Sequence, residues 1–295
     1  MEMVLHGNAL LALAAAALWG GGDFSGGMGV KHAGGTMSAA LRVILLSHAV
    51  SLVVLLAAAW WHGDGFPHGA PLAWGLVAGA TAGIALACFY VALSRGAMGA
   101  SAALSGLLAA AIPAAVSASA EGSPGLLRLV GFLVAGLAIW LIAAGPNPEA
   151  KTADRGTVWL AVVGGVGFGV YFVALKFAGS AGVIWPLATA RMGSLAVCSL
   201  LVGGMMLRAN AGEAKVRLTR VAIAWAMGAV VLDTSGNLLF IASTRAGRLD
   251  VAAVLASLYP ASTILLAAWT LHERPTRRQG LGMAVAAAAV VMITV

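Results

Sequence analysis

The sequence predicts an all-α polytopic membrane protein of ten transmembrane helices, built as two inverted five-helix repeats. Composition is the first observation: of 295 residues, 61% are hydrophobic and only 9% are charged, with a mean hydropathy of +0.97. So few charges cannot cover a soluble chain of this length. The second observation is the recurrence of apolar runs long enough to cross the ~30 Å of a bilayer core as helix. The third is an internal correspondence between the two halves.

The runs fall at about 8–30, 38–61, 71–93, 98–119, 125–145, 157–178, 183–207, 219–242, 250–271 and 277–295. Short connections such as "HGDGFPHGAP", "GPNPEAKTADRG" and "HERPTRRQG" collect much of the Gly, Pro, Lys and Arg. The first run lacks a preceding basic segment and a small-residue cleavage site, so it reads as a retained helix. Cys88 and Cys198 fall inside the runs, where they read as small packing residues rather than as a disulfide or metal pair. The net charge of +7 sits in loops beside the runs, where it meets lipid headgroups; no basic domain exists to hold nucleic acid.

A shift of 149 residues lays Arg42 on Arg191, each near the start of a second helix. Nearly the same shift lays Trp74 on Trp225, Tyr90 on Phe240, Arg95 on Arg245 and Pro113 on Pro260. The chain therefore reads as two units, 1–147 and 148–295. Five helices is an odd number, so the second unit enters the membrane inverted relative to the first. Halves related in this way exchange inward-open and outward-open shapes around one central site, which is the architecture of secondary transporters.

Ionisable groups at a helix centre cost at least about 2.5–3.5 kcal/mol each, so those present should face protein or a water-filled path. Asp23, Arg42, His48, Lys176, Arg191 and Asp233 are such groups. Asp233 and Asn237 stand four apart and share one helix face. Asp23 and Lys176 lie at matching depth on helices one and six, where an ion pair is expected. His48 reads as a hydrogen-bonded packing residue. Trp19, Tyr90, Tyr171 and Tyr259 are the aromatics expected at a pocket, whereas Trp74 and Trp225 fit an interfacial belt. Pro260 interrupts helix nine beside Tyr259 and frees a carbonyl. Gly75, Gly79 and Gly83, like Gly165 and Gly169, form close-packing stripes. The cluster "GGGDFSGG" around Asp23 is expected to break or loosen helix one.

The stretch "DVAAVLASLYPASTILLAAWTLHERPTRRQGLGMAVAAAAVVMITV" resembles the end of an EamA domain of the drug/metabolite transporter (DMT) superfamily, with Pro260, the pair Glu273-Arg274, Gly280 and Gly282 at the matching positions. The resemblance extends to the helix count and to Arg42 and Arg191. In the first unit it is degraded, since Glu121 follows Pro113 early and no Arg follows it. The resemblance implies a carrier of small metabolites or drugs, often amino acids, with a cavity lined by helices one to four and six to nine and with helices five and ten peripheral.

The expected function is alternating-access transport of a small polar or cationic metabolite, such as an amino acid or related amine, in the cytoplasmic (inner) membrane. The candidate substrate contacts are Asp233, Asn237, Asp23, Trp19, Tyr90, Tyr171, Tyr259, Arg42 and Arg191, with Asp233 and Asp23 as candidate proton carriers. The rival is a facilitative carrier of a nucleotide, sugar or drug-like cation without proton coupling, or a membrane subunit that transports nothing. No HExxH, GxSxG or Walker sequence occurs, so neither enzymatic chemistry nor direct use of ATP is indicated, and no cofactor or metal is called for. The expected partners are the solute and the bilayer, with the protein as monomer or homodimer. The excess of Lys and Arg on one set of loops places both termini outside by the positive-inside rule. The family resemblance implies termini inside; the reading here follows the charges.

Overall fold

The runs form helices because a backbone in hydrocarbon must satisfy its own N–H and C=O groups. A computed structural model describes residues 2–94, 98–143, 155–208, 218–270 and 276–294, so Glu273-Arg274 and the loop cations Arg95, Lys151, Lys215 and Arg217 lie outside the described residues. The helices are α1 Glu2–His32, α2 Met37–His62, α3 Ala70–Ser94, α4 Met98–Ala120, α5 Leu126–Ala143, α6 Arg155–Ala178, α7 Ile184–Arg208, α8 Arg220–Ala246, α9 Leu249–Ala256, α10 Tyr259–Thr270 and α11 Arg277–Thr294. Six of them, α1, α2, α3, α6, α7 and α8, are long and apolar enough to cross a membrane; α4, α5 and the α9–α10 stretch are shorter apolar helices.

Helices α9 and α10 together are the ninth predicted run. The split at Ser257-Leu258 follows from Pro260, which has no N–H to offer the carbonyl of Ala256. At the corresponding position, Pro113 lies within an uninterrupted α4. Threonine caps start α2 and α8: Thr36 accepts from the Ala39 N–H and Thr219 from the Ala222 N–H, both at 3.1 Å.

Helix α1 packs along α8 and α3 along α6, α2 and α3 flank α7, and α5 lies against α11. Glycine sets two of these contacts. At Gly79 a Cβ would come within 1.7 Å of the Ala190 carbonyl oxygen, and at Gly193 within 2.2 Å of that of Leu76, so α3 and α7 meet backbone to backbone. The cluster around Asp23 acts the same way and does not break α1, which is helical from Glu2 to His32. A Cβ at Gly20 would strike Ser262, one at Gly22 would crowd the Asp233 backbone and one at Gly26 would strike the Tyr90 ring. Lateral packing holds the helix that isolated glycine propensity would loosen.

The outer surface is apolar, with Trp60, Trp61, Trp159 and Trp269 well exposed, as suits contact with lipid. Polar side chains turn inward.

Candidate functional site

Helix α7 brings Arg191 into the centre of the bundle, where it is 2% exposed. A guanidinium only donates, so each neighbour must accept. Its Nε donates to Ser51 Oγ at 3.1 Å, one Nη donates to His48 Nε2 at 2.8 Å, and the other forms an ion pair with Asp233. Because His48 accepts at Nε2, its proton sits on Nδ1, which donates to Ser194 Oγ at 2.8 Å. The imidazole is therefore neutral. Ser51 Oγ and Thr234 Oγ1, 2.7 Å apart, tie α2 to α8.

The second carboxylate oxygen of Asp233 is also engaged. Asn237 Nδ2 donates to it at 2.9 Å and to the Asp233 backbone carbonyl at 2.7 Å, while Tyr171 OH donates to Asn237 Oδ1. The pattern runs from α6 through α8 and α7 to α2 without a gap. The four-residue spacing of Asp233 and Asn237 does place both on one face, and the half-buried acid is the counter-charge of the buried Arg191.

Against this network lies a cavity of about 40 Å³, lined by Trp19 and Asp23 of α1, Ala82 and Leu86 of α3, Ala109 of α4, Phe168, Tyr171 and Phe172 of α6, Arg191, Asp233, Asn237 and Tyr259. Trp19 stacks on Phe172 with ring centroids 5.1 Å apart and planes 3° from parallel. Asp23 stands one turn from Trp19 on the same helix face and, among the described residues, has no hydrogen-bond or ion-pair partner. The hydroxyl of Tyr259 is buried without a partner. A smaller space of about 10 Å³ shares Leu86 and Asp233 and is lined by His48, Ser51, Tyr90 and Thr234.

Seven of the nine sequence candidates thus share the larger cavity, and Tyr90 lines the smaller one. Arg42 is not brought there: it is half-buried, and its Nε reaches Ser38 Oγ of its own helix at 3.5 Å. The expected pairing of Asp23 with Lys176 is also wrong. Lys176, in the last turn of α6, lies 3.5 Å from Glu121 and donates to the carbonyl of Thr244 at 2.9 Å. Repeat equivalence matched the depths of the two residues, but α1 packs on α8 and α6 on α3, so equivalent helices are not neighbours. Near Lys176, Arg248 pairs with Asp250 at 2.7 Å and donates to the Gly122 carbonyl at 2.8 Å, tying the ends of α4, α8 and α9. Glu121 serves this helix-end cluster. Sequence reasoning passed over Ser51, Ser194, Thr234, Phe168 and Phe172. The signal for the serines was their three-residue spacing from His48 and Arg191.

Residues from α1, α3, α4, α6, α7, α8 and α10 line the larger cavity and α2 reaches the smaller, while α5 and α11 contribute to neither. That division is the one the family resemblance implies. A solved structure described only as "Crystal structure of protein" matches with a TM-score of 0.71 and 16% identity, over 97% of this chain and 95% of its own; the likeness is one of fold. No curated protein matches. Residues 155–295 match the EamA-like transporter family, and the match does not include the degraded first unit. The chain is a multi-pass membrane protein whose second half is an EamA domain.

Proposed function

We propose that the protein is a secondary transporter that moves a small polar or cationic metabolite, such as an amino acid or related amine, by alternating access. The observation that carries this reading is a saturated ionic network beside an aromatic cavity at the centre of an otherwise apolar bundle. Helix pairing supports the inverted units 1–147 and 148–295. A two-fold operation that exchanges α1 with α6 and α3 with α8 turns the α1–α8 contact into the α6–α3 contact, and both are extensive.

The cavity, at about 40 Å³, holds a few waters, whereas metabolite sites need several hundred. Loading therefore requires the units to part. Exchange with protons, in the inner membrane, is the coupling we propose; facilitated exchange of a sugar, nucleotide or drug-like cation is the rival. Purified protein in liposomes should accumulate a labelled amino acid or amine saturably when a pH gradient is imposed. Saturable flux indifferent to the gradient would favour the rival, and no flux of any tested solute would remove the transporter reading. Reporters fused to the C-terminus should be active only on the external side; cytoplasmic activity would reverse the proposed orientation.

A further inference from the structure

Two carboxylates line the larger cavity, but they are chemically unequal. Asp233 has its oxygens taken by Arg191 and Asn237. Asp23 has no partner among the described residues, and the buried Tyr259 hydroxyl on the same wall has none either. Among the described residues Arg191 is the one cation lining this cavity, and it is already paired with Asp233, so the protein offers no counter-charge to an ionised Asp23. An anion or a zwitterion would not cancel that charge; one organic cation would.

We propose that Asp23 and Tyr259 form the docking point for an organic ammonium ion, and that Asp233 acts as the built-in counter-ion of Arg191. The proposal rests on the cavity being the solute site and narrows its ligand to a monocation. The ammonium N–H groups donate to the Asp23 carboxylate and to the Tyr259 oxygen, satisfying the acceptors that the fold leaves open. Trp19, one turn from Asp23, is held by its stack on Phe172, so the ligand's apolar body meets a fixed aromatic wall. Arg191 cannot take over the Asp23 charge without abandoning Asp233, which its other bonds to Ser51 and His48 oppose.

Calorimetry on the purified full-length protein at neutral pH would compare phenethylammonium with phenethyl alcohol, its uncharged match. The wild type should bind the cation at least about tenfold more tightly. Asp23→Asn should erase that preference and Asp23→Glu should keep most of it, with both variants eluting as folded protein. Tyr259→Phe should weaken the cation several-fold and leave the alcohol unchanged. An absent preference in the wild type, or one that survives Asp23→Asn, would overturn the proposal. Because binding is read at equilibrium, an Asp23-dependent preference without flux in liposomes would uphold this site and remove the transporter reading. Flux of amines untouched by Asp23→Asn would do the reverse.

Discussion

Arg42 and Arg191 align when the sequence is shifted by 149 residues, yet they lead opposite lives. Arg191 is buried and tied to Ser51, His48 and Asp233, whereas Arg42 is half-buried and, among the described residues, reaches only Ser38. Depth does not separate them, for each sits within the first two turns or so of its helix. Their partners do. Helix α8 offers Arg191 the carboxylate of Asp233, while the matching place on α3, near Ala82 and Gly83, has no acid. Both halves of the sequence carry the cation; only the half that also carries an acid turns it inward.

The largest way to break this contrast is to strand the acid. Arg191→Ala leaves Asp233, whose side chain is 23% exposed, with Asn237 but no cation, so it should cost about 2–3 kcal/mol, read as a large fall in the thermal midpoint in detergent. Replacing both partners, as Arg191→Met with Asp233→Leu, should restore most of that stability while transport stays lost. Recovery of transport by this pair would show that the charges serve folding alone.

Smaller effects sharpen the comparison. Gly79→Ala drives a methyl into the Ala190 carbonyl beside Arg191 and should cost about 1–3 kcal/mol, whereas Gly280→Ala, in helix α11 with open space around it, should cost nothing and stabilise by up to about 1 kcal/mol. Tyr171→Phe removes the donor to Asn237 and should cost about 1 kcal/mol. Arg42→Ala should stay within about 0.5 kcal/mol of wild type in the same unfolding measurement.

Much of this was legible beforehand. The spacing of Asp233 and Asn237 announces a shared face, and the glycine stripe of α3 announces close packing. What remained hidden depends on neighbours in space. The glycines around Asp23 read as a weak helix because propensity describes an isolated segment, whereas Ser262, the Asp233 backbone and Tyr90 fill the space they leave. Lys176 read as a partner for Asp23 because register gives depth and says nothing of which helices touch. That Asp233 is the paired acid and Asp23 the unpaired one follows from the direction in which Arg191 points, a choice made in tertiary packing.

The most direct test is a charge-conserving exchange at the two aligned arginines. Arg191→Lys keeps a cation but loses the fork that reaches Ser51, His48 and Asp233 together, and Arg42→Lys keeps all that Arg42 does. Reconstituted in parallel at equal protein density, Arg191→Lys should lose at least about tenfold in amine flux, roughly the 1.4 kcal/mol of one such bond, while Arg42→Lys matches the wild type. Equal flux from the two variants would contradict the claim that, of these two arginines, Arg191 alone serves the site.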